Sequence, residues 1–285
     1  MTLELDSATA AEAIAAGGPL LGRARLACDP AEIRAELQRL ARNLSETSAA
    51  GTPAQESAGR LVSASLDLVD LAPVLQAALD GDRSATLSAA VAANVDPEAL
   101  AQLVDLALQP VLWEARAQIA ALVDPETLDA WYRGFCPVCG SWPVLSELVG
   151  SERRRVLRCG RCGSGWPWIV LLCPYCGNDD HRTLGTLHEA ADDDAGSGGA
   201  AASGTGERAA APAARVDTCE RCHGYLKGIA AFASYPAVRL AAEDVATLHL
   251  DIAARAAGYR RPGEVDVATA GVPRLVREAR PSPDA

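Results

Sequence analysis

Eight of the nine cysteines form four pairs of one spacing, and this pattern constrains the fold more than any other feature. Two residues separate the cysteines of each pair, which are Cys136/Cys139, Cys159/Cys162, Cys173/Cys176 and Cys219/Cys222. A tight turn of this length, called a knuckle below, aims both sulfurs at one point. A tetrahedral metal site takes four ligands, so two knuckles make one site. The four knuckles therefore predict two four-cysteine sites.

The knuckles alternate between two types. The first and third read Cys-Pro-x-Cys-Gly, whereas the second and fourth lack the proline, and this order indicates a repeated two-knuckle unit. Sequential pairing is favoured, with the first two knuckles forming one site and the last two the other, and interleaved pairing stays open. A glycine directly after the second cysteine permits a positive φ, which lets the chain leave the turn without a Cβ clash.

The fourth knuckle, Cys219-x-x-Cys222-His223, also matches the attachment signature of a c-type haem. Haem there would leave Cys173 and Cys176 without partners. The first 18 residues, moreover, lack the basic start and apolar stretch of a secretory signal. A metal knuckle is therefore favoured, in which His223 fills the turn or donates a hydrogen bond to a ligand.

Four thiolates suit zinc or a single iron, and the spacing does not separate the two. The cysteine run of a bacterial [4Fe–4S] ferredoxin is missing from the sequence. Residues 143–148 and 154–158 are predicted to form a hairpin, and residues 166–172 a buried strand that leads into the third knuckle. Knuckles joined by a hairpin are typical of zinc-ribbon and rubredoxin-like modules.

The first part of the chain is predicted to be helical. Asp29, Asp96 and Asp124 each precede a proline, which is the pattern of an N-cap followed by proline at the first helical position. Apolar residues follow at helical spacing and predict a bundle of about four or five helices. Cys28 is assigned to no site.

The predicted fold class is α+β, with an all-α N-terminal domain, two tandem rubredoxin-like or zinc-ribbon modules with four cysteines each, and a C-terminal helix. That helix is amphipathic, with Val245, Leu248, Ile252 and Ala256 on one face. Low-complexity residues 189–214 predict a disordered insert in the second module, because they cannot bury enough apolar surface to become ordered. The predicted domains are 1–133, 134–172, 173–235 and 236–285, the last ending in a flexible tail.

Charge and hydropathy bear on the protein's partners and its location. A net charge of −11 makes nucleic acid and anionic membranes poor general partners. No apolar run approaches the roughly 20 residues of a membrane span. We therefore expect a cytoplasmic protein, in a compartment where thiols stay reduced.

Five arginines form a local basic cluster: Arg153, Arg154, Arg155, Arg158 and Arg161. This cluster indicates either a docking surface for an acidic partner or RNA, or a solvated hairpin tip that offsets thiolate charge. The sequence offers no phosphate-binding loop and no Ser-His-Asp arrangement, and we do not expect an enzyme.

Five segments together resemble the FdhE family of formate dehydrogenase accessory proteins over about residues 134–260. They are CPVCGSWPV, LRCGRCGSGWPW, CPYCGN, DTCERCHGYLK and AEDVATLHLDIAARAAGY. The resemblance implies a cytoplasmic factor needed for active respiratory formate dehydrogenase, which binds the molybdenum-containing catalytic subunit before its export. It also implies a helical domain followed by rubredoxin-like modules, with iron bound by the eight paired cysteines. A rubredoxin-like redox carrier and a nucleic-acid-binding zinc-ribbon protein are the alternatives.

Overall fold

The computed structural model describes residues 2–27, 29–47, 50–51, 56, 59–60, 71–80, 84–189, 214–262 and 275–277. Cys28, residues 190–213 of the predicted insert and most of the predicted tail lie outside these residues. Helices and strands both occur, which confirms a mixed α and β fold. No helix among the described residues combines the length and apolarity required to cross a membrane.

The chain divides into two compact units. The first comprises Met1–Ala130 and Pro137–Gly140, and the second comprises Trp131–Cys136 and Ser141–Ala285. The short segment Pro137–Gly140 belongs to the first knuckle. The domain boundaries expected at 133, 172 and 235 stay predictions.

The first unit consists mainly of helices. Within its described residues the helices are α1 Ser7–Ala15, α2 Pro30–Thr47, α3 Leu71–Asp80, α4 Ser84–Ala93, α5 Pro97–Leu122 and α6 Pro125–Asp129. A short helical turn, Leu20–Gly22, lies before strand β2, Arg25–Ala27, which pairs antiparallel with β1, Thr2–Glu4. The side chains of Asp96 and Asp124 accept hydrogen bonds from backbone N–H groups of α5 and α6, which confirms both as N-caps.

The core of the first unit lies along α2 and α5, which pack against each other. Ile33, Leu37 and Ala41 are buried on α2 at a spacing of four residues, as expected for one face of a helix. Leu112 and Ile119 are fully buried on α5.

The second unit is organised around one sheet. Its strands are β3 Leu145–Val149, β4 Arg154–Arg158, β5 Gly165–Pro167, β6 Leu184–Glu189, β7 Ala214–Cys219, β8 Gly224–Ala231 and β9 Leu275–Arg277. They lie in the order β5-β4-β3-β8-β7-β6-β9. Strands β3 and β4 pair antiparallel, which confirms the predicted hairpin. Strands β6 and β7, which flank the predicted insert, are also antiparallel neighbours.

One parallel strand pair in this sheet connects the strands that lie next to the knuckles of the two clusters. Strand β3 pairs parallel with β8, with Leu145 opposite Lys227 and Val149 opposite Ala231. Strand β3 follows the first knuckle, its hairpin partner β4 leads into the second, and β8 follows the fourth. The two knuckle pairs therefore share one sheet.

The strand predicted over 166–172 is wrong beyond its first two residues. Strand β5 ends at Pro167, and Ile169, Val170 and Leu171 are exposed. Proline has no N–H for the sheet, so it is disfavoured inside a paired strand. The carbonyl of Val170 instead accepts a hydrogen bond of 2.9 Å from the buried guanidinium of Arg155.

The C-terminal helix predicted as one element is two, α7 Ala237–Ala246 and α8 Leu248–Ala256. The predicted apolar face, Val245, Leu248, Ile252 and Ala256, is exposed, so that prediction is wrong. Thr247 leaves helical geometry at the junction, and its hydroxyl donates to the Glu243 carbonyl at 2.7 Å. This break turns α8, which packs instead through Leu250 and Ala254 against Tyr225 and Val216.

The basic cluster is not a continuous surface. Arg155 and Arg158 are each 4% exposed and form ion pairs with Asp217 at 3.0 Å and Glu147 at 2.6 Å. Strand β4 alternates its side chains, and these two arginines meet acidic partners from β7 and β3. The prediction of five surface arginines is therefore wrong.

Candidate metal centre

The eight paired cysteines gather in two groups whose sulfurs lie within 4.8 Å of one another. Cluster one contains Cys136, Cys139, Cys159 and Cys162, and cluster two contains Cys173, Cys176, Cys219 and Cys222. These are the sequentially paired sets, so the interleaved pairing is wrong. Metal binding by the clusters stays a prediction. The distances between their sulfurs can be compared with those that a metal ion requires.

The sulfur separations fit a single four-coordinate ion in each cluster. A zinc–sulfur bond of about 2.3 Å places the corners of a regular tetrahedron about 3.8 Å apart. In cluster one the sulfurs of Cys136 and Cys162 are 3.5 Å apart. In cluster two the separations are 3.7 Å for Cys173 with Cys222 and 3.8 Å for Cys176 with Cys219. All three exceed the roughly 2.05 Å of a disulfide bond by far.

The first three knuckles share one backbone conformation. In each, the N–H of the first cysteine donates to the carbonyl five residues later; the pairs are Cys136 to Ser141, Cys159 to Ser164 and Cys173 to Asn178, at 2.8–2.9 Å. Gly140, Gly163 and Gly177 have φ values of 77°, 72° and 67°. These values confirm the predicted role of the glycine, which is free of the Cβ clash at positive φ.

The fourth knuckle places His223 where the other three have glycine. His223 adopts a φ of 52°, in the left-handed region where histidine is one of the enriched non-glycine residues. Its carbonyl accepts a hydrogen bond of 2.8 Å from the N–H of Arg260, and its ring lies 6.2 Å from that of Tyr259. His223 therefore fills the turn. The sequence resembles a haem-attachment motif because this histidine follows Cys219 and Cys222, but those cysteines lie beside Cys173 and Cys176.

Three thiols of cluster two are perturbed in different directions. Burial raises the pKa of Cys173, and the nearby charges of Cys222 and Cys219 add to the effect. Partial desolvation of the sulfur, followed by a hydrogen bond with Cys176, raises the pKa of Cys222 to about 11, although the residue as a whole is exposed. Burial acts in the same direction on Cys219, but donation from the Cys222 N–H and the Asn178 amide lowers its pKa overall. Four thiolates close together without a cation are unfavourable, and a metal ion reverses this balance.

Polar groups around each cluster hold its sulfurs in place. In cluster two the Asn178 amide donates to the Cys219 sulfur at 3.4 Å and to the Thr183 hydroxyl at 2.7 Å. In cluster one the Ser164 hydroxyl lies 3.1 Å from the Cys162 sulfur. Such outer contacts orient metal ligands and tune their basicity.

Arg158 connects cluster one to the sheet. Its guanidinium pairs with the fully buried Glu147 and donates to the carbonyl of Gly163, in the second knuckle, at 3.1 Å. It also donates to the carbonyl of Tyr235 at 2.7 Å, and the N–H of Tyr235 donates to Glu147 at 3.0 Å. This closed set of contacts fixes the second knuckle relative to β3.

A buried ionic network that the sequence analysis missed anchors the fourth knuckle. Lys227 on β8 is 0% exposed, and its ammonium lies 2.6 Å from carboxylate oxygens of both Asp244 and Asp251. The Tyr225 hydroxyl donates to Asp251 at 3.0 Å, and Arg261 pairs with the same carboxylate at 2.5 Å. Asp244 and Asp251 are two helical turns apart in sequence, a signal that could have indicated one polar strip facing β8.

The family model for the C-terminal domain of FdhE matches residues 200–266. This range includes the fourth knuckle, the Lys227 network and α8. The predicted resemblance to the FdhE family is thereby confirmed.

Two curated relatives extend the likeness. An FdhE homolog of Shewanella baltica is 35% identical over 129 residues, which cover 45% of this chain and 36% of that protein. Protein FdhE of Escherichia coli is 33% identical over 161 residues, which cover 53% of this chain and 45% of that protein. The chain thus spans less than half the length of either relative.

One solved structure is also similar to the chain. The crystal structure of the FdhE protein from Pseudomonas aeruginosa superposes with a TM-score of 0.48 at 23% identity, over 94% of this chain and 81% of that one. Likeness at this level carries no inference of its own.

Proposed function

We propose that the protein is an accessory factor for the assembly or activation of respiratory formate dehydrogenase. It binds the catalytic subunit of that enzyme in the cytoplasm before export. In this role it acts by binding and not by catalysis. The observation that supports the proposal is that two four-cysteine clusters occur in a chain that matches the family model for the FdhE C-terminal domain over residues 200–266.

Each cluster holds one mononuclear metal ion, iron or zinc. Cys136, Cys139, Cys159 and Cys162 hold the first, and Cys173, Cys176, Cys219 and Cys222 hold the second, in rubredoxin-like or zinc-ribbon modules. A bound ion cross-links two knuckles that are distant in sequence, and its binding energy contributes to folding. Iron would add one-electron chemistry, whereas zinc does not change its oxidation state.

The burial of two arginines weakens the nucleic-acid alternative. Two of the five clustered arginines, Arg155 and Arg158, are buried in ion pairs and cannot meet phosphates. The net charge of −11 acts against nucleic-acid binding as well.

A pull-down tests the partner. Tagged protein is recovered from cells that make formate dehydrogenase anaerobically, and bound proteins are identified by mass spectrometry beside an unrelated protein with the same tag. We expect enrichment of the dehydrogenase catalytic subunit on the tagged chain only. Equal recovery on both tagged proteins, or recovery of nucleic acid and no catalytic subunit at any salt concentration, contradicts the proposal.

Elemental analysis of anaerobically purified protein tests the metal. We expect two ions per chain, and a content below one per chain contradicts the assignment of the clusters. Zinc in both clusters of protein made under iron-replete conditions rules out the redox-carrier alternative.

A further inference from the structure

The two four-cysteine clusters differ in their access to solvent. In cluster one, Cys136, Cys159 and Cys162 are each 0% exposed, and Cys139 is partly exposed. In cluster two, Cys173 and Cys219 are buried and Cys176 is partly exposed, but the fourth ligand, Cys222, is exposed. The two clusters have the same ligand chemistry, so this difference in exposure distinguishes them.

Buried residues enclose the three buried sulfurs of cluster one. Trp166, which directly follows the second knuckle, is 1% exposed, and its indole N–H donates to the carbonyl of Arg133 at 3.2 Å. Arg158 and Ser164 are also buried beside this knuckle. A solute can therefore reach the three buried sulfurs only after the surrounding residues move.

Cluster two is open on two sides. On one side, Cys222 lies in the exposed turn between β7 and β8, next to Arg221 and His223, which are also exposed. On the other side, Cys173 and Cys219 line a cavity of about 480 Å³. That volume lies within the range of small-molecule sites, which is about 300–1,000 Å³.

From this asymmetry we infer that cluster two is the metal-exchange centre of the protein, whereas cluster one keeps its ion as part of the fold. The inference rests on the proposed metal binding by both clusters. Cys222 is the first ligand to detach, because its turn is exposed and can move without opening the sheet. A donor atom of an incoming soluble chelator takes the vacated coordination position. The other three thiolates are then displaced from the ion in turn. No electrons are transferred, and the freed thiolates take protons from the solvent.

The test uses the full chain loaded with two zinc ions. The chromogenic chelator pyridylazoresorcinol is added in excess, and zinc release is followed by absorbance. We expect two phases of equal amplitude, with rates that differ by at least about tenfold, equivalent to a barrier difference of about 1.4 kcal/mol. A single phase that releases both ions together overturns the inference.

Matched serine variants assign the phases. We expect Cys222→Ser to lose the fast phase and keep the slow one, and Cys159→Ser to lose the slow phase and keep the fast one. The opposite assignment overturns the inference. A wild-type chain that holds no zinc contradicts the proposed metal binding itself, so the two failures are distinguishable.

Differential labelling gives an answer that does not depend on the variants folding. The wild-type protein is treated with N-ethylmaleimide once half of its zinc is released, and the modified cysteines are mapped by mass spectrometry. Exposed, metal-free thiols react most readily. We expect label on Cys173, Cys176, Cys219 and Cys222, with the cysteines of cluster one protected; equal labelling of both clusters overturns the inference.

Discussion

Replacing Arg158 with methionine isolates one buried ion pair beside cluster one. Arg158 is 4% exposed, and its partner Glu147 is 0% exposed. Methionine retains much of the side-chain length but removes the charge and the three side-chain hydrogen bonds. No other cation is shown against Glu147 among the described residues, so its carboxylate would be left buried with only the N–H of Tyr235.

The expected loss follows from the burial of this pair. Breaking a buried ion pair by removing one partner costs about 3–5 kcal/mol, because the remaining charge is uncompensated. An exposed pair would contribute only about 0–1 kcal/mol. The burial of both partners selects the larger value, and we expect Arg158→Met to lower the free energy of unfolding accordingly.

Urea unfolding with both metal sites saturated measures this loss. Tryptophan fluorescence reports the transition, since Trp166 is buried in the same unit. The double variant Arg158→Met/Glu147→Gln removes the unpaired charge and keeps an acceptor for Tyr235, so it should recover about 2 kcal/mol of the loss. A single variant within about 1 kcal/mol of the parent would refute the reasoning, as would a double variant no more stable than the single one.

Three further predictions concern the clusters and their support. Cys219→Ser should lower the metal content from two ions per chain to one, and elemental analysis showing an unchanged content would refute the assignment of cluster two. Lys227→Met should destabilise the second unit by about 3–5 kcal/mol in urea unfolding, since among the described residues it leaves Arg261 as the one cation shown against Asp244 and Asp251; a loss below about 1 kcal/mol would mean that Arg261 suffices. His223→Gly should keep both ions and alter stability by less than about 1 kcal/mol, because glycine relieves the positive φ but gains freedom on unfolding. Loss of one ion from that variant would identify His223 as a ligand.

Local chemistry accounts for the features that sequence analysis predicted correctly. A knuckle depends on about five consecutive residues, so spacing and the following glycine suffice to predict its shape. The starts of α5 and α6 depend in the same way on an aspartate and the N–H groups just after it. The β3–β4 hairpin was predictable because its two strands are consecutive in the sequence. The repeated order of the knuckles favoured the two sets of four cysteines that the structure brings together, although it left the interleaved pairing open.

Features that depend on distant partners could not be read from these patterns. Arg155 and Arg158 looked like surface charges, because Asp217 is 62 residues from Arg155 and the burial of Glu147 is not visible locally. The apolar face predicted for the last helix failed because the break at Thr247 changes which residues of α8 meet the sheet. The Lys227 network was missed because two of its members lie on helices that follow β8.

The sequence by itself determined which eight cysteines take part in two groups of four sulfurs, since four short turns with a common spacing specify them. Only the tertiary structure decided that β3 and β8 join both clusters in one sheet, and that only cluster two has an exposed ligand, Cys222. Burial and long-range strand pairing depend on the whole packed chain, whereas the shape of a knuckle depends only on its own few consecutive residues.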